Sequence, residues 1–139
     1  MTTPHEIVNP ATLAAPVGFS HAVVAAPGRT VYLGGQAAHD ADGNIVAESI
    51  PEQFAQAARN VISALESVGA RVEHLVSMQI YVTDVEDYRA SLPQLGDAYR
   101  EHLGQHYPAI ALFEVKGLFD PAAKVELVCT AVVPDDDQR

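Results

Sequence analysis

An α+β fold, with two helices packed on one face of a sheet, is what this 139-residue sequence predicts. Three observations carry that expectation. Pro51 to Val68 repeats its apolar residues at helical spacing. The apolar runs on either side are short, rich in β-branched residues and bounded by turn residues. The order is strands, helix, strand, helix, strands, which suits helices gathered on one side of a sheet.

Taken in order, His21 to Ala26 and Thr30 to Gly34 are short apolar segments on either side of Pro27-Gly28-Arg29, and predict a β-hairpin. Asp40 to Asn44 holds an Asp-Gly turn signal, followed by an extended stretch to Ile50. In the first helix Phe54, Ala57, Val61, Leu65 and Val68 form one face, Glu52, Gln56, Arg59, Ser63 and Glu66 the other. Pro51 suits its first turn and Gly69 the position just past its end.

Leu75 to Thr83 contains Met78-Gln79-Ile80-Tyr81-Val82-Thr83 and reads as a strand. The second helix, about Val85 to Leu103, aligns Tyr88, Leu92, Leu95, Tyr99 and Leu103, while Pro93 and Gly96 predict a kink or a late start. Ile110 to Val115 and Lys124 to Val133 supply the last strands, joined by Gly117 to Ala123. The whole of 1–139 reads as one domain, with a solvated acidic tail over 134–139 that includes Asp135, Asp136 and Asp137.

Composition excludes several classes. A formal charge of −10 opposes nucleic-acid binding, which draws its affinity from basic residues, and the eight Lys and Arg residues are scattered. No run of about 18 apolar residues suggests a membrane span, and Met1 to Pro10 has no leader pattern, so a cytoplasmic location is expected. The single Cys129 lies inside an apolar run and reads as packing in a reducing compartment.

His102 and His106 are four apart, but Gly104 and Pro108 end the helix between and beyond them and no third ligand is evident. They read as surface histidines, and no metal or cofactor is expected. Gly34-Gly35-Gln36 lacks the remaining residues of a phosphate loop, so its glycines fit a close backbone approach instead. No Gly-x-Ser-x-Gly elbow exists, and Cys129 has no activating partner in the sequence. Glu126 alternates with apolar neighbours in a strand and is the remaining polar candidate.

The order and spacing of several segments, from Pro16 to Val133, resemble the RidA (reactive intermediate deaminase, YjgF-like) family. Val17-Gly18-Phe19-Ser20-His21-Ala22 stands where that family has Gly-Pro-Tyr-Ser-Gln-Ala, and Gly34-Gly35-Gln36 where it has Ser-Gly-Gln. Gln53, Asn60, Leu65 and Gly69 match its first helix. Ile80-Tyr81-Val82-Thr83-Asp84 with Tyr88, then Tyr107-Pro108-Ala109 and Val125-Glu126, match its later segments. The resemblance implies a chorismate-mutase-like fold with a mixed sheet, and a homotrimer with small-molecule clefts between subunits.

In deaminating members of that family an Arg after Pro-Ala grips the substrate carboxylate, and a Glu positions the water that hydrolyses an imino or enamine acid. Here the Arg position is Ile110, the pocket Tyr is Phe19 and the Ser is Gly34, beside Gly35. An isoleucine has no donors for a bidentate clamp. The resemblance therefore implies a pocket for a less polar ligand, with Glu126 as the catalytic candidate and Phe19, Gly34, Gly35 and Ile110 as substrate-binding candidates. Arg89, Arg100, Lys116 and Lys124 are the candidate substitute cations.

Two functions follow from it. One is an enamine or imine deaminase, or a related hydrolase of small carbonyl-derived metabolites. The other is a non-catalytic ligand-binding or accessory protein of the same fold. An older ribonuclease label attached to the family finds no support in the acidic charge.

Overall fold

The structure is a computed structural model that describes residues 2–137, without the side chain of residue 137. Its strands are β1 (Glu6–Val8), β2 (Ala22–Val24), β3 (Gly28–Tyr32), β4 (Leu75–Val82), β5 (Ala109–Glu114) and β6 (Val125–Pro134). Its α-helices are α1 (Ile50–Ser67), α2 (Val85–Ala90) and α3 (Leu92–Leu103). Single 3₁₀ turns cover Val72–His74 and Asp135–Asp137. None of the described helices is long and apolar enough to cross a membrane.

Helix α1 starts where its chemistry says it should. Ser49 caps it, accepting the Glu52 N–H at 3.2 Å and donating its hydroxyl to Glu52 Oε1 at 2.8 Å, with Pro51 in the first turn. Gly69 follows its end at φ 75°, a backbone that side chains rarely adopt. The expected single second helix is two: α2 ends at Ala90, and Pro93 sits in the first turn of α3, where its missing N–H costs nothing.

The four-stranded sheet runs β3-β6-β4-β5, antiparallel except for the parallel β4–β5 pair. The expected hairpin does not form. Strand β2 pairs instead with β1, Ile7 opposite Val23, in a separate two-stranded sheet. Strand β3 begins within the expected turn and pairs with β6, Val31 opposite Ala131. Gly28 serves close strand approach there, because a Cβ would run into the Val133 carbonyl. The ten-residue β6 offers β3 a full-length partner that a three-residue strand cannot match. The extended stretch after the Asp-Gly turn is also shorter than expected: Ile45 makes one bridge to His39, and Ile50 already belongs to α1.

Phe54, Ala57, Val61 and Leu65 of α1 pack with Leu95 and Leu103 of α3 onto Met78, Ile80, Val82, Leu127, Cys129 and Ala131. Burying each large apolar side chain is worth about 1.5–3 kcal/mol. Helices thus cover one face of the sheet. His106, expected on the surface, is half-buried: its Nε2 lies 2.8 Å from the Leu75 carbonyl, and burial lowers its pKa, so the neutral ring donates that bond. It ties the end of α3 to β4, while His102 lies apart, beside Arg59 at 3.4 Å.

Candidate functional site

Strand alternation places the candidate residues. Along β6, Val125, Leu127, Cys129 and Ala131 point into the helix-covered core, so Glu126, Val128 and Thr130 point to the open face. Glu126 stands opposite Tyr81 of β4. Its carboxylate lies against Gly35, where an added Cβ would meet Oε2, so a side chain at 35 would push the carboxylate from this position. It forms no hydrogen bond to a described residue, which leaves its acceptor sites available.

Two side-chain amides, the half-buried Asn60 and the buried Gln53, hold this corner in place. Gln36 exchanges both backbone hydrogen bonds with Leu127, at 2.8 Å each. Asn60 donates to the carbonyls of Ala37 at 3.0 Å and His39 at 2.9 Å, fixing the segment that follows Gly34-Gly35. Gln53, 1% exposed, donates to Ala47 and Ala122 and accepts the Lys124 N–H at 2.7 Å, fixing the start of β6. The two amides are seven residues apart, two turns of α1. An amide pair at that spacing on a helix's apolar face is the sequence signal for these positioning roles.

Phe19 and Ile110 meet elsewhere, in a groove of about 350 Å³ along β5 that also includes Ser20, His21, Ser77 and Gln79. The 19–21 segment is held beside β5: Ser20 donates its hydroxyl to the Tyr107 carbonyl at 2.6 Å and its N–H to Pro108 at 3.0 Å. The Phe19 and His21 rings meet edge to face at 5.1 Å. Ser77 and Gln79 were missed as pocket residues, although their alternation with Met78 and Ile80 marks them as facing away from the helices.

One chain therefore brings Glu126, Gly34 and Gly35 together, and Phe19 with Ile110, but not the two groups with each other. Ile110 pairs with Met78, and Glu126 with Tyr81, so they stand roughly 10 Å apart along the strands and about 10 Å across them. Ile110 also packs partly against the core, while Glu126 faces the other way.

The candidate cations lie outside the groove lining. Arg100 pairs with Asp97 at 2.8 Å on α3, and Lys124 Nζ donates to the Glu48 carbonyl at 2.6 Å. Arg89 and Lys116 are exposed, the first on α2 and the second after β5. Cys129 is buried and its thiol is pushed up to about 12 by desolvation, so it carries no thiolate at neutral pH. Among the described residues no cluster of three His, Cys, Asp or Glu side chains has the geometry of a metal site.

Comparison with known proteins places the sequence and the fold. The family model described as Endoribonuclease L-PSP matches residues 10–133. A goat 2-iminobutanoate/2-iminopropanoate deaminase is 29% identical over 128 residues, covering 91% of this chain and 88% of the relative. The mitochondrial protein mmf2 of Schizosaccharomyces pombe is 32% identical over 107 residues, 75% of this chain and 80% of its own. The crystal structure of YyfB, a protein of unknown function in the conserved Rid family of Yersinia pestis, superposes with a TM-score of 0.84 at 28% identity, covering 93% of this chain and 98% of that one. The chain belongs to the RidA (YjgF-like) family.

Proposed function

We propose that this protein is an imine or enamine deaminase of small, weakly polar substrates, acting in clefts between the subunits of a homotrimer. The observation that carries the reading is the Glu126 carboxylate, placed against Gly35 on the open face with its acceptor sites unspent. In that role Glu126 takes a proton from water as the oxygen adds to the C=N carbon. It returns the proton to nitrogen to give an amino alcohol, then moves the hydroxyl proton from oxygen to nitrogen as the C–N bond breaks, releasing a carbonyl compound and ammonia. Phe19 and Ile110 of a neighbouring copy would supply the apolar wall.

Assembly is supported by the open face itself. Tyr32 is 81% exposed and Phe113 46% on that face, apolar rings that a neighbouring copy would cover. Deaminase relatives support the reaction class. A ribonuclease reading is opposed by the charge of −10.

A second reading, a ligand-binding protein without chemistry, is favoured by one observation: among the described residues no Lys or Arg lines the groove around Ile110. The test is light scattering together with deamination of imines freshly generated from leucine and alanine. A trimer whose activity falls roughly 10²–10⁴-fold in Glu126→Gln, with unchanged mass, is the expected result. Unchanged activity in that variant removes the role of Glu126, and a monomer at micromolar concentration removes the shared cleft. A trimer inactive on both imines favours the second reading.

A further inference from the structure

Gly96 is the residue that the proposed chemistry does not use and that the fold has reason to avoid. It sits in the interior of α3, where a glycine weakens a helix relative to alanine. Its neighbourhood gives it a purpose. A cavity of about 380 Å³ opens beside it, on the helix-covered side of the sheet, walled by Phe54, Tyr88, Tyr99 and Tyr107. The Tyr99 and Tyr107 rings stack at 5.0 Å and 14°, which makes one wall flat and aromatic.

At the rim the Arg100 guanidinium folds back over Gly96, its Nη1 3.2 Å from where a Cβ would stand. One of its N–H groups is taken by Asp97, at 2.8 Å, and four donors of the fork remain. Burial raises the Tyr88 pKa, so that ring keeps its hydroxyl proton at neutral pH and stays a donor. An aromatic slot with a cation at its mouth and a volume within the range of ligand sites has a definite chemical preference.

We propose that this cavity is a second binding site, on the opposite side of the sheet from Glu126, for small aromatic carboxylic acids. The ring enters between Phe54, Tyr88 and the Tyr99–Tyr107 stack, and the carboxylate meets Arg100. Gly96 is kept because a side chain there would displace the guanidinium and narrow the slot.

The test is calorimetric and amide-NMR titration of the full chain with phenylacetate, phenylacetamide and phenethylamine. Phenylacetate is expected to bind with Kd on the order of 0.1–1 mM, shifting the Gly18 and Gly96 amides, and about tenfold more tightly than phenylacetamide. Arg100→Gln is expected to bring phenylacetate down to the level of phenylacetamide. Gly96→Ala is expected to weaken both ligands while raising the melting temperature. The site is lost if phenethylamine binds best, if no ligand binds at about 10 mM, or if the shifts gather at Ser77 and Gln79 instead. Glu126→Gln leaves phenylacetate binding unchanged, so failure here and failure of the deaminase reading are separate results.

Discussion

The two faces of the central sheet follow opposite logics, and strand β6 shows both in alternate residues. Toward the helices, Val125, Leu127, Cys129 and Ala131 are at most 1% exposed. Toward the open side, Glu126, Val128 and Thr130 are only partly covered, and Tyr32 and Phe113 are exposed. The first face is finished within one chain and carries stability. The second is left open, and in the proposed reading it carries the chemistry and the contacts with other copies.

The largest effect that tests this contrast comes from two adjacent residues. Leu127→Ala opens a cavity in the finished face and is expected to cost about 2–5 kcal/mol in a urea titration, a large share of a typical domain's stability. Val128→Asp places a charge on the open face. Its expected result is a drop in mass by light scattering, because the desolvated carboxylate opposes subunit contact. Equal destabilisation of a monomeric chain by both variants would break the distinction between the faces.

The finished face was legible in the sequence because burial imposes a period. The spacing of Phe54, Ala57, Val61 and Leu65 specified α1, and Pro51 and Gly69 its ends. Pairing was less legible, since Pro27-Gly28-Arg29 looks the same whether it turns a hairpin or passes between sheets. Only the length of β6 decides which partner Gly28 meets. At the site, Glu126 and Gly35 meet through the long-range backbone pairing of Gln36 with Leu127, which the order of the family's segments made legible and no local pattern did. The separation of Ile110 from Glu126 depends on register across three strands, which no single segment encodes.

A smaller effect probes how dry the finished face is. Burial pushes the Cys129 thiol from 9.0 up to about 12, so the folded chain holds a proton that the unfolded chain releases above pH 9. Its contribution is intact below that pH and is lost as pH rises toward 12, by at most about 1.4 kcal/mol per pH unit. Between pH 8 and 10 the unfolding free energy from urea titration is expected to fall by roughly 1 kcal/mol more in the wild type than in Cys129→Ala. Tyr88, raised by burial, acts in the same direction and cancels between the two proteins, whereas Tyr99, raised mainly by burial, is also raised by Cys129 and so adds to the difference in the same direction. Equal losses would mean that water reaches the thiol.

The smallest expected effect tests the boundary between the faces, at Ile110. This residue lines the Phe19 groove while part of its side chain packs against the core, so Ile110→Arg gains a cation at the groove and loses apolar packing. A charge-assisted contact with a substrate carboxylate is worth about 1.5–3 kcal/mol, and desolvation of the guanidinium offsets much of it. The net expectation is a few-fold gain in kcat/KM for 2-imino acids, on the order of 1 kcal/mol or less. Because a carboxylate clamp holds ground state and transition state alike, the gain should appear in KM rather than kcat. Imines generated from leucine and alanine, assayed with both proteins at matched oligomeric state, give the comparison. Wild-type turnover already saturating at low substrate would place a carboxylate partner in the cleft that the groove lining of one chain does not contain. A neighbouring copy's exposed Arg89 or Lys116 would then be the group to substitute next, and the preference for weakly polar substrates would fall.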